Sequence, residues 1–134
     1  MSEYKIHLIG GKDDESATIV TSYVNNNFCH IQFEYQGQTI QETALDYFEC
    51  LCKIRLRLES EKLIPFCYGA SLTVYPSGMG RDMGRGLKAY KHTIGKQAKL
   101  TDLVFIFDEG LDVIPSTVAN QKAYYEEWIK IPRV

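Results

Sequence analysis

The sequence predicts an α+β fold: a mostly antiparallel sheet with two or three helices packed on it, in a single domain spanning residues 1–134. Three observations carry this expectation. Two runs rich in β-branched and aromatic residues, 17–24 and 28–35, flank Asn25-Asn26-Asn27, a turn signal that suggests a hairpin. Tyr47, Leu51, Ile54 and Leu58 recur at helical spacing. Strand-like segments come first and helical ones later, which suits helices laid on one face of a sheet. With 134 residues, 45% of them hydrophobic, the chain is large enough to bury a core without staples.

In order along the chain, Tyr4 to Ile9 reads as a strand closed by Gly10-Gly11, followed by a polar acidic loop from Lys12 to Ser16. In the run 28–35, Cys29, Ile31, Phe33 and Tyr35 share one face and are the buried set, while Phe28, His30, Gln32 and Glu34 share the other. Gln36-Gly37 turns the chain again before Gln38 to Gln41. Thr43 with Asp46 three residues later resembles a capping box, so the helix is expected to begin there and to stop near Leu63, because Pro65 forces Ile64 out of the helical region. Phe48, Cys52 and Leu56 broaden its apolar stripe, although the alternation from Cys52 to Leu58 leaves a strand open. Pro65 to Tyr75 reads as a strand interrupted at Gly69, and Leu103 to Phe107 as a central strand closed by Asp108-Glu109-Gly110. Thr117 to Lys130 makes a short amphipathic helix that packs Trp128, the only tryptophan, onto the sheet.

The start of the chain carries no secretory pattern, and no apolar run approaches the roughly 20 residues that span a bilayer. A soluble, cytoplasmic protein is expected. Cys29, Cys50, Cys52 and Cys67 lack C-x-x-C spacing and lie in apolar company, while His7, His30 and His92 show no ligand spacing. Buried free thiols are therefore expected, with no metal and no cofactor.

Charge is segregated. Residues 77–100 hold six bases against Asp82, a net +5, inside a chain whose total is −2. A helix running from about Gly80 would place Met83, Leu87, Tyr90 and Ile94 on one stripe and Arg81, Arg85, Lys88 and His92 on nearly the opposite one, a docked face and a basic ridge. Gly84 and Gly86 oppose that helix at roughly 1 kcal/mol each, unless they mark close approach of another backbone or a ligand. Gly78, Gly80 and Gly84 miss the dinucleotide spacing, and no Gly-Lys-Ser/Thr follows for a phosphate loop. A general anion- or partner-binding site formed by Ser77, Arg81, Arg85, Lys88 and His92 survives this comparison, beside the plainer alternative of a solvated helix face. Six bases in an acidic chain do not put nucleic acid first. Ser77, His92 and Asp82 are the residue types of a nucleophile triad, but no nucleophile elbow holds the serine. Asp108-Glu109 more readily ends a strand than forms a catalytic pair.

The stretch from Val74 to Tyr90, with Leu103 to Asp108 and Val118 to Trp128, resembles a group of small uncharacterised bacterial proteins, most specifically at Tyr75-Pro76-Ser77-Gly78-Met79. In size and style the chain is also similar to bacterial immunity proteins that neutralise a cognate toxin. Together these lead to the expectation of a non-enzymatic protein-binding module, of immunity type, with a toxin as partner. The alternatives are a small enzyme or ligand-binding protein that holds a phosphate or nucleotide at residues 77–92, and a homo-oligomer joining the acidic N-terminal half to the basic segment. No membrane partner is expected.

Overall fold

A computed structural model describes residues 1–11 and 15–134. The expected loop from Lys12 to Ser16 thus lies mostly outside the described residues. The N-terminal half is a meander of β1 (Ser2–Ile9), β2 (Ser16–Val24), β3 (Phe28–Tyr35) and β4 (Gln38–Ala44). With β5 (Ile64–Pro65) these form an antiparallel sheet in the order β4-β3-β2-β1-β5. The turns are legible in the backbone: Asn25, Asn26 and Asn27 adopt φ of 45°, 63° and 70°, the left-handed region that asparagine tolerates. Gln36 and Gly37, at 49° and 70°, make the two-residue turn between Tyr35 and Gln38. Cys29, Ile31, Phe33 and Tyr35 face inward as their alternation required.

Helix α1 (Tyr47–Glu59) packs its buried stripe of Phe48, Leu51, Ile54 and Leu58 on this sheet. Its start corrects the expectation at Thr43, which stays in β4 opposite His30. Asp46 is the N-cap instead, its carboxylate accepting the Glu49 N–H at 2.7 Å. The helix ends at Ser60 rather than Leu63, because the Leu63 N–H folds back to Leu58 O after Lys62 takes a φ of 60°. Cys50 and Arg55 are buried and Leu56 is exposed, so the stripe is rotated from the broadened one that Leu56 implied. Lys53 and Arg57 donate to the carbonyls of Thr43 and Gln41, covering the free edge of β4 with cationic side chains.

The second half departs further from expectation. The strand expected over Pro65 to Tyr75 is replaced by β5, a 3-10 turn over Tyr68–Ala70, and β6 (Val74–Tyr75). The Gly69 N–H donates to Ile106 O at 2.8 Å, so backbone pairing here runs to a distant segment and not along a continued strand. The long helix expected from Gly80 is one short helix, α2 (Gly78–Met83), followed by β7 (Lys88–Lys91). Arg85 and Gly86 take φ of 57° and 70°, which no helix continues through. Leu103 to Phe107 is not a central strand: β8 (Leu103–Phe105) lies at one edge of a three-stranded sheet ordered β6-β7-β8. Its apolar run continues because Ile106 and Phe107 leave the strand and enter the core, where Phe107 stacks on Tyr4 at 5.1 Å.

Helix α3 (Val118–Lys130) is capped by Thr117 and lies against β6 and α1. Its one buried residue is polar. Gln121, 1% exposed, donates to the carbonyls of Gly69, Ser71 and Val74, and accepts from Arg55 at 2.6 Å. Arg55, also 1% exposed, donates further to Gly69 O and Ser116 O. This buried cation is thus held by neutral acceptors, with no carboxylate in hydrogen-bond reach among the described residues. It ties α1, the 3-10 turn and α3 into one α+β body.

Candidate functional site

The four residues expected to form a basic ridge, Arg81, Arg85, Lys88 and His92, are separated by the turn at Gly84–Gly86, and Ser77, the fifth candidate binding residue, precedes α2. Ser77 caps α2, its hydroxyl accepting the Gly80 N–H at 2.9 Å. Arg81 turns inward to Asp46 at 3.5 Å, its guanidinium lying 5.1 Å from the Phe48 ring centre and 5.3 Å from that of Tyr75. Arg85 lies 5.3 Å from the Tyr23 ring and donates to the Asn27 carbonyl. Lys88 is exposed on β7. His92 is 5% exposed, and its Nε2 meets the Tyr75 carbonyl at 3.1 Å. Two of the three cations are therefore engaged by internal acceptors and aromatic rings, and the ridge does not form.

Of the glycines of this segment, Gly86 marks close approach of another backbone, one of the two meanings allowed for Gly84 and Gly86. The Arg85 carbonyl accepts the Tyr47 N–H at 2.7 Å, at the start of α1. A Cβ on Gly86 would stand 2.7 Å from Asp46 Oδ1 and 2.9 Å from Phe48 N. Segment 81–86 thus seats itself on the N-terminus of α1 and takes up donors that an external anion would have used.

What remains open lies on the other side of α2. A groove of about 510 Å³ runs between α2, β7 and β8 and is lined mainly by apolar side chains, among them Met83, Leu87, Leu103 and Phe105, with Lys88 at its border. Met79 and Met83 stand over it at 71% and 80% exposure. They are exposed because α2 has no buried residue: its six residues serve to place Ser77, Arg81 and the following turn. Unbranched thioethers adapt to varied apolar surfaces, a property that suits a docking face.

A second pocket, of about 480 Å³, adjoins it through Ser77 and Tyr90 and lies between β7, residues 97–98 and α3. Its walls include His92, Tyr125 and Trp128, with Gln97 and Arg133 at the opening. Trp128 packs 4.1 Å from the His92 ring centre and donates its Nε1–H to Lys96 O, while Arg133 lies 4.4 Å from the indole. Because a carbonyl only accepts, the bond to Tyr75 O fixes the proton of neutral His92 on Nε2. Nδ1 then presents a bare lone pair, buried and without a partner among the described residues. Burial holds the imidazole below its ordinary pKa, against the opposing pull of the Tyr75 carbonyl and Asp102.

Other candidates for chemistry are spent on structure. Ser77 serves as a cap, Asp82 is exposed on α2, and no hydrogen bond joins either to His92 among the described residues. Glu109 accepts both the His7 backbone N–H and its ring Nδ1. Cys29, Cys50 and Cys67 are buried free thiols and Cys52 is half-buried, as apolar company implied. Burial pushes the Cys50 and Cys67 thiols up to about 12. No cluster of three His, Cys, Asp or Glu side chains suited to a metal occurs among the described residues, nor does any helix there have the length and apolarity to cross a membrane.

Sequence reasoning placed Met83 on the docked face of a helix, and it is instead among the most exposed apolar residues. Gln97, Tyr125 and Arg133 were missed altogether, since nothing local relates them to His92. Comparison with protein-family models and with curated proteins finds no match for this chain.

Proposed function

We propose that this chain is a protein-binding module that receives an acidic, amphipathic segment of its partner in the groove between α2, β7 and β8. One observation carries the reading: Met79 and Met83 stand exposed over an apolar groove with Lys88 at its border. Burying a methionine releases roughly 1.5–3 kcal/mol, so two of them supply much of a modest affinity. Charge complementarity selects the occupant. The segment 77–100 carries a net +5, and while Arg81, Arg85 and Lys91 are engaged internally, Lys88 lines the groove and stands outside any ion pair among the described residues. Apolar residues flanked by Asp and Glu would meet both features.

The finer proposal is that the partner is a bacterial toxin, neutralised when this surface covers it. Its support is the size and style of the chain, together with an open surface whose unspent chemistry is apolar contact and positive charge.

A synthetic peptide of alternating leucine and glutamate serves as the first probe. Chemical-shift changes on titration are expected at the Met79 and Met83 methyl groups. Replacing both residues by Glu is expected to weaken binding by about tenfold or more while leaving the melting temperature close to that of the parent, because neither side chain is buried. Binding that is unchanged in the double variant would remove the groove as the docking surface. The product of the adjacent gene tests the finer proposal: a stable complex that loses toxicity supports it, and the absence of a complex withdraws the toxin while leaving the peptide result to judge the groove.

A further inference from the structure

We propose that the pocket between β7, residues 97–98 and α3 is a small-molecule site for a planar heteroaromatic acid, one whose ring carries an N–H. The inference does not rest on the docking reading, since groove and pocket share only Ser77 and Tyr90. Three features define the ligand. The first is the aromatic wall. Tyr125 and Trp128 stack with planes 17° apart, and Tyr75 stacks on Tyr125 at 4.2 Å, so a run of near-parallel rings is built by residues from two elements. A wall of this kind accepts a flat ring by offset stacking.

The second feature is a cation with spare donors. Arg133 commits Nη1 to the carbonyls of Trp128 and Ile129 at the end of α3, and belongs to no ion pair among the described residues. Its remaining N–H groups form no hydrogen bond among the described residues and can hold a carboxylate, and Gln97 lines the same pocket.

The third feature points to a ligand directly. His92 Nδ1 is a buried acceptor with no donor, and an orphaned buried polar atom costs free energy that a ligand N–H would recover. The indole of Trp128 packs on the His92 ring at 4.1 Å between centres and donates one exposed hydrogen bond, to Lys96 O. A flat ring that enters beneath the indole exchanges one stacking contact for another, while bringing a donor to Nδ1.

A carboxylated indole, its carboxylate on the pyrrole ring, is the probe. Its benzofuran counterpart keeps shape and charge but replaces the N–H by oxygen, and unsubstituted indole keeps the N–H without the acid. By calorimetry the carboxylated indole is expected to bind at least about tenfold more tightly than either control, the difference one hydrogen bond to a charged or buried group makes. Binding should shift the nitrogen NMR resonance of His92 Nδ1. Arg133→Gln, at an exposed position, should reduce affinity by about tenfold with only a small fall in the melting temperature of the free protein, from the lost contacts to the end of α3. Absence of binding at millimolar ligand, equal binding of the benzofuran, or affinity unchanged in Arg133→Gln would each overturn the proposal.

Discussion

His92 and Gln121 show what single buried polar residues do in this protein. His92 is held below its ordinary pKa by burial, so the unfolded chain takes up a proton near the usual histidine value of about 6.5 that the folded one refuses. The sign follows from linkage: the contribution to stability is complete above that value and is lost as pH falls through it toward the lower folded value. Asp102 and the Tyr75 carbonyl resist this shift, and Arg133 reinforces it. Thermal melts across that window should show a fall in stability on acidification that is smaller in His92→Gln; an identical pH profile in the two proteins would contradict the assignment. Gln121 works through geometry alone. Gln121→Leu would strand the Val74 carbonyl, take one of two donors from the carbonyls of Gly69 and Ser71, and remove an acceptor from the buried guanidinium of Arg55, a loss of about 3 kcal/mol in denaturant-induced unfolding.

Among the elements, the short connection after α2 matters more than α2 itself. Its left-handed residues allow the chain to rest on the start of α1, and Gly86 fits where a Cβ would collide with the Asp46 cap and the Phe48 backbone. Gly37 has the same φ of 70° but nothing within 4 Å. Gly37→Ala should therefore cost about 1 kcal/mol, the backbone term, whereas Gly86→Ala should cost clearly more, because it also displaces the helix cap. Equal losses on chemical unfolding would mean that the contact with α1 carries little energy. The same connection explains the failed reading of residues 80–94: helical periodicity was present, but two consecutive left-handed residues interrupt it, and the second half of the segment pairs as β7 between β6 and β8.

On the scale of the molecule, two antiparallel sheets share one core through α1 and through the aromatic contacts of Tyr4, Phe105 and Phe107. The charge segregation visible along the chain is partly cancelled in space, since Arg81 reaches Asp46 and Lys91 reaches Asp112. The positive charge that remains is weaker than the linear count suggests, and of it Lys88 lines the apolar groove. Binding of the leucine–glutamate peptide should consequently weaken with added salt but persist at high ionic strength, because screening removes the lysine contribution and leaves the methionine contacts. Complete loss of binding in high salt would show that charge alone drives it.

The sequence by itself determined β1, the hairpin of β2 and β3, the turn at Gln36-Gly37, the inward face of β3 and the body of α1, because alternation, turn residues and helical spacing are local signals that need no distant partner. Only the tertiary structure decided where Arg81, Arg85 and His92 would point, that Leu103 begins an edge strand, and that Met79 and Met83 would face solvent. Each of those outcomes depends on which distant group arrives first: Asp46 for Arg81, Asn27 for Arg85, Tyr75 for His92. A side chain with several possible partners is settled by their positions in space, and its neighbours along the chain do not encode them.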